Sequence, residues 1–320
     1  MVIGPVSLVM RHCALIARDA FTVKDVVAVG GLDVVDDLGP ARWLTESVCG
    51  FAENVGSLVP ATFAAHARVL HPAYNHDGAE PELVSWAEIA RANHKIVHPR
   101  MQFTRLIGYA SRYVVEYHDS QPGLFDEAPA VGTLPPNTAA SLARTLSRHT
   151  TSADHCWFAV WSGFGDLDQA FHDRPTFALP GRDYHLAHGP VAAASQSVGT
   201  DTHYSSHRSV NLWWPDDHAW CVATEIDLDS TYLGASQACI EELATNSDLE
   251  TMPLNVTAGI TADSDTLNPA PPRDLPGVAS YPSLGIYRAA ANPATRETGS
   301  DHSNSLDVRL TRDGWWIELS

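Results

Sequence analysis

The residues best suited to chemistry in this chain are carboxylates. Glu225, Asp227 and Asp229 follow one another at a spacing of two, just behind Asp216 and Asp217. In an extended chain that spacing puts all three side chains on one face. Side-by-side carboxylates repel, so such a ladder calls for a cation, an arginine or open water. A second Asp-x-Asp, Asp263-Ser264-Asp265, follows the next expected strand and would meet the first at one sheet edge if the two strands ran parallel. His203 and His207 have the spacing that puts two imidazoles on one helical face. With either of them, Glu225, Asp227 and Asp265 form a candidate set for a divalent cation that activates water. The structural alternative is a strand leaving the core, with a solvated acidic end and Asp229 capping a helix.

Aromatic residues precede the acids. Trp213-Trp214-Pro215 reads as a turn rich in aromatics, partly exposed and followed at once by Asp216 and Asp217. Trp213, Trp214, Asp216 and Asp217 therefore form a candidate recognition surface for a small molecule or a protein. Trp220 to Ile226 alternates as a core strand does. It separates the Trp213 end from the acidic ladder by about 25 Å, at about 3.3 Å per residue, so the two ends cannot share one compact site.

Other constellations are weaker. The pairs His94/His98, His71/His76 and His185/His188 lack the His-Glu-x-x-His pattern, and His98 precedes Pro99, which disfavours helix. Cys156 sits beside His155 and Asp154, but neighbouring strand residues point to opposite faces and cannot form a dyad. The chain carries no Gly-x-Ser-x-Gly elbow, no Gly-x-Gly-x-x-Gly fingerprint and no phosphate-cradling Gly-Lys-Ser/Thr loop.

A formal charge of −18 over 320 residues opposes contact with phosphate backbones, so nucleic acid and anionic membranes are not expected partners. Five widely spaced cysteines with no Cys-x-x-Cys argue against a disulfide framework and a thiolate zinc site. The apolar run Val2 to Met10 has no basic residue ahead of it, and no stretch approaches a membrane span. A cytoplasmic location is the expectation.

The elements that must position these residues read as an α+β fold, a mixed sheet flanked by a few helices with a C-terminal β-hairpin. Residues 1–55 are expected to be an N-terminal extension, 56–268 the main domain, and 269–320 a Pro-rich connector and a hairpin docked on it. Within the main domain, Phe63 to Leu70 predicts a strand ended by Pro72, and Ser85 with Glu88 predicts a capping box. Ala139 to Arg148 carries a helical stripe, and His155 to Trp161 a strand buried on both faces. Ala219 to Asp227 predicts another strand, with a helix capped by Asp229 or Ser230 directly behind it, and Leu254 to Ile260 a further strand. In the tail, an Asp313-Gly314 turn would pair Leu310 with Ile317 and Val308 with Leu319.

Cys156-Trp157-Phe158-Ala159-Val160-Trp161, together with Trp214-Pro215-x-Asp217-x-x-Trp220-Cys221-Val222-Ala223-Thr224-Glu225-Ile226-Asp227-x-x-Ser230-Thr231-Tyr232, resembles a protein family of high-GC bacteria with no assigned activity. The resemblance covers roughly residues 57–268 and implies that this region is one domain. It carries over no catalytic residue. The sequence thus points to a soluble binding or interaction protein with an aromatic and acidic recognition surface and no cofactor. The alternative is a divalent-metal-dependent hydrolase or transferase using the carboxylate cluster.

Overall fold

Residues 28–109, 120–200 and 207–270 are described by the computed structural model, together with the paired strands 306–311 and 314–319. The expected α+β class is observed. Its frame is a ten-stranded sheet in which β1 (Ala28–Val29), β2 (Leu32–Val35), β8 (Arg182–Gly189), β6 (Cys156–Trp161), β9 (Leu212–Pro215), β10 (Cys221–Thr224), β11 (Ser230–Ala235), β3 (Ala65–Leu70) and β12 (Glu250–Leu254) lie side by side in that order. β7 (Phe177–Leu179) pairs with the start of β8. Every pair among the described residues is antiparallel. No parallel pair therefore brings the two Asp-x-Asp segments to one edge. A small hairpin, β4 (Ala73–Asn75) and β5 (Glu82–Val84), stands apart from the sheet.

The sheet is covered on both faces, which explains why β9, β10 and β11 are buried at every residue. On one face α4 (Pro136–Leu146) and α5 (Gln237–Thr245) lay Leu142, Leu146, Ile240 and Leu243 against Phe158, Trp213, Val222 and Leu233. On the other, α1 (Arg42–Ser47) and the segment behind it bring Leu44, Val55 and Val59 onto Leu186, Trp214, Ala223 and Tyr232. A satellite core under α2 (Trp86–Ala92) and α3 (Phe103–Leu106) gathers Trp86, Ile89, Phe103 and Phe125.

Residues 28–55, expected as part of an extension, belong to this body. β2 pairs with β8 through Asp33↔His188 and Val35↔Leu186, and Leu44 and Val55 are fully buried. The reason is areal: the second sheet face is apolar and needs a cover.

The capping box forms as expected, Ser85 accepting from the Glu88 N–H while Glu88 accepts from the Ser85 N–H. The helix expected directly behind Asp229 is replaced by β11. Thr231 is β-branched and Tyr232 aromatic, and Thr231 to Gly234 pair with β10 on one side and β3 on the other. The cap is Ser236, whose hydroxyl accepts from the Cys239 N–H at 3.3 Å, and α5 starts at Gln237. The last expected strand also moves, to Glu250–Leu254.

The tail hairpin forms as β13 (Leu306–Thr311) and β14 (Gly314–Leu319), with Val308↔Ile317, Leu310↔Trp315 and a closing pair Thr311↔Gly314. This register is two residues away from the one expected with an Asp313-Gly314 turn, which would have paired Leu310 with Ile317. The first 27 residues, His203, the connector from residue 271 and the side chains that would dock the hairpin lie outside the described residues.

Candidate functional site

β10 ends at Thr224, so Glu225, Asp227 and Asp229 stand in the turn that joins β10 to β11 and not on a strand. The base of that turn is pinned by a buried polar chain. His71, fully enclosed, bonds the Ala130 carbonyl through Nδ1 at 2.6 Å and meets Thr231 Oγ1 through Nε2 at 2.9 Å. Thr231 in turn meets Thr224 Oγ1 at 2.7 Å. The carbonyl can only accept, which puts the proton on Nδ1 and leaves Nε2 to accept from Thr231. Burial drives the His71 pKa down to about 4, against the upward pull of the Ala130 carbonyl and Asp229, with Arg68 adding to the fall.

Two guanidinium groups answer the carboxylates. Arg182 opens β8 immediately behind the two-residue Pro180-Gly181 turn, in which Gly181 adopts a φ of +76°. Its Nη2 lies 2.9 Å from Glu225 Oε1 and 2.9 Å from Asp227 Oδ2. The same guanidinium rests 4.9 Å from the Phe51 ring centroid and 5.6 Å from that of Trp161. Arg68, in the middle of β3, faces Asp229 at 3.6 Å, donates to the Met101 carbonyl at 2.6 Å and stacks on Trp86 and Tyr232. An arginine between the carboxylates gives the acidic ladder the structural counter-charge that its spacing demanded.

The turn borders a cavity. A chamber of about 230 Å³ is enclosed by Asp227, Leu228 and Asp229 on one side, Gln102 and Thr104 on another, and Phe51 at the lip. A slot of about 30 Å³, walled by Leu58, Leu179, Tyr184, Leu212 and Ala223, adjoins it across Phe51, Ala52 and Glu225. Phe51 is 45% exposed although the ring touches both chambers, and Ala52 beside it holds a φ of +55°, a strained value for a residue with a Cβ. Gly181 is required here because a Cβ would come within 2.6 Å of the Phe51 ring.

The sequence-predicted cation ligands do not gather. Thr261 and Ala262 border the same chamber, so the second Asp-x-Asp segment does reach the first, but its carboxylates turn away. Asp263 is exposed and pairs with Arg105 at 3.3 Å. Asp265 is buried and accepts from His98 Nε2 at 2.8 Å, from the N–H groups of Gln102 and Asn268 at 3.0 and 2.8 Å, and from Asn268 Nδ2 at 3.2 Å. Burial raises its pKa, but those hydrogen bonds prevail and hold the carboxyl below its ordinary value. His207 bonds the Leu134 backbone beside Arg208, its pKa lowered first by burial and then by that arginine. Among the described residues no three His, Cys, Asp or Glu side chains come together as a cation cage.

The proposed recognition surface is also redistributed. Leu212–Pro215 is the strand β9 and not a turn, so Trp213 and Trp214 point to opposite faces and are both fully buried. Trp213 packs edge-on to Trp220 at 5.2 Å, and Trp214 to Trp43 at 6.0 Å. Asp216 accepts from Trp157 Nε1 at 3.0 Å. Asp217 accepts from the Thr151 N–H, the hydroxyls of Thr150 and Thr151 and the Ala219 N–H, at 2.7 to 3.1 Å. Burial raises the Asp217 pKa, yet these donors more than offset it and the carboxyl sits low.

Sequence reasoning missed Arg182, Arg68 and Phe51. The Pro180-Gly181 turn was a visible signal that Arg182 stands at a tight corner, yet nothing local pairs it with a glutamate 43 residues further on. Comparison of the chain with protein-family models, with curated proteins and with solved structures found no match.

Proposed function

We propose that this protein binds a small organic cation with a compact apolar group in the groove behind Phe51. The observation that carries this reading is the pair of adjoining chambers: a largely apolar chamber and a smaller slot joined across Phe51 and Glu225. Sites for small molecules are concave and largely apolar, with a few placed polar groups to fix orientation, and the groove has that build. Its charge supports a cation. Glu225, Asp227 and Asp229 all line the wider chamber, and among the described residues no lysine or arginine stands in that lining. The aromatic and acidic reading of the sequence is thereby kept, with Phe51 in the place of Trp213 and Trp214. The metal-dependent hydrolase or transferase draws no support from these side chains, because Arg182 supplies the positive charge between Glu225 and Asp227.

The test is titration with phenethylamine and with phenylacetate, followed by calorimetry or by shifts in the NMR spectrum. The amine should bind at least about tenfold tighter than the acid, a difference of roughly 1.4 kcal/mol. Phe51→Ala and Asp227→Asn should each weaken the amine about fivefold while the thermal midpoint stays close to that of the parent. Equal affinity for the two probes, or no saturable binding of the amine, would overturn the reading.

A further inference from the structure

We infer that Asp265 is the positioning residue of this groove: one buried carboxylate fastens a strap, residues 260–268, to the 96–105 segment and thereby sets the distance between two of the chamber's walls. The inference rests on the groove being the binding site, since it concerns how that site is shaped.

The two segments meet through polar contacts. The Asp265 side chain is fully buried, and one oxygen takes His98 Nε2 and the Asn268 N–H while the other takes the Gln102 N–H and Asn268 Nδ2. Asn268 completes the fastening from the strap side: its Oδ1 accepts from the Ile96 N–H at 2.8 Å and its Nδ2 donates to the Ile96 carbonyl at 2.9 Å. Gln102 Nε2 reaches Ser264 Oγ at 3.2 Å, and Arg105 Nε reaches the Ala262 carbonyl at 3.4 Å. Ile260 anchors one end of the strap in the core, whereas Leu267 near the other end is exposed, as are Ile96 and Val97 opposite. Little apolar burial thus holds the strap's far end, and the hydrogen bonds to Asp265 carry the closure.

What the strap closes is the chamber itself. Gln102 and Thr104 come from one fastened segment, Thr261 and Ala262 from the other, and all four line the same cavity. Asp265 lies behind that wall and is not among its lining residues, so its effect on a ligand is indirect. A ligand that touches both walls binds only the fastened form. Loss of the fastening then lowers apparent affinity in proportion to the closed fraction, about tenfold if one molecule in ten stays closed.

Three backbone amides report the state of the strap, because Ile96, Gln102 and Asn268 donate to side-chain oxygens of Asn268 or Asp265. Hydrogen exchange is measured on the full chain for the parent, Asp265→Asn and the milder His98→Gln. The expected result is that Ile96, Gln102 and Asn268 exchange slowly in the parent and at least about tenfold faster in Asp265→Asn, with β10 and β11 unchanged as internal controls. His98→Gln should move the same amides by less. Phenethylamine affinity should fall with amide protection across the three proteins. Unchanged protection in both variants overturns the inference, and so does a loosened strap with parental amine affinity. If Asp265→Asn unfolds, the decision falls on His98→Gln by the same readouts. Failure of the parent to bind phenethylamine counts against the proposed ligand class, and the amide pattern still decides whether Asp265 fastens the strap.

Discussion

Two acid-bearing turns stand at the two ends of β10 and use their carboxylates in opposite ways. In the β9–β10 turn, Asp216 and Asp217 are consumed by short, neutral donors: an indole N–H from β6, two hydroxyls and a backbone N–H from Thr150 and Thr151, and the turn's own Ala219 N–H. In the β10–β11 turn, Glu225, Asp227 and Asp229 meet arginines from β8 and β3, and the space beside them is a cavity. Short neutral groups packed against a turn satisfy its carboxylates and draw the neighbouring segment close. Long guanidinium side chains reaching in from other strands satisfy it at a distance, and the gap between elements stays open. Acidic residues alone therefore do not mark a site; the kind and reach of their partners do.

The comparison can be broken most severely at Arg68. It is almost fully enclosed, and replacing it by alanine leaves Asp229 without its counter-charge while emptying the space between Trp86 and Tyr232. We expect Arg68→Ala to destabilise the fold by about 3 to 5 kcal/mol, read from urea unfolding. A loss below about 1 kcal/mol would mean that the β10–β11 turn does not depend on a partner from β3.

A pH titration of stability separates the two ends. His71 below the β10–β11 turn is neutral in the fold because burial lowers its pKa to about 4, whereas the unfolded chain takes up the proton near 6.5. The unfolded state binds more protons in that interval, so stability is full above pH 6.5 and falls as the pH drops towards 4, by about 3 kcal/mol in all. Replacing His71 by asparagine should flatten that limb. A wild-type stability that stays level between pH 6.5 and 4.5 would contradict the assignment.

Asp217 gives the smaller and more acidic counterpart. Its carboxyl is held low in the fold, so its contribution is present above its unfolded value near 3.8 and disappears only below it. Asp217→Ala should cost about 1 to 2 kcal/mol at neutral pH, the worth of charge-assisted hydrogen bonds at an exposed turn, and should leave amine binding untouched. An effect of Asp217→Ala on the groove would join the two turns that the structure separates.

Much of the frame was legible before any coordinates. Phe63 to Leu70 announced β3 through its apolar run and the following proline, Ser85 and Glu88 announced α2, and His155 to Trp161 announced a strand covered on both faces, observed as Cys156–Trp161. Each of these signals is local, carried by neighbours within one element. The misreadings occurred where two local signals competed. Asp229 and Ser230 can cap a helix, but Thr231, Tyr232 and Leu233 suit a strand, and pairing on both sides by β10 and β3 settles the choice for β11. Trp213 and Trp214 looked like an exposed turn because proline and acids follow them. As members of a central strand they instead fill both cores.

By itself, then, the sequence determined the Ser85–Glu88 cap of α2, the alternation of the inner strands and the placing of acids at the ends of β10, since each follows from the spacing of near neighbours. Only the tertiary structure decided which acids would be spent and which would border open space. Arg182 and Glu225 are 43 residues apart, and His98 and Asp265 are 167 apart. No periodicity encodes such pairs. They arise because a hydrophobic sheet, covered on both faces, fixes the distances between side chains whose partners lie on other strands.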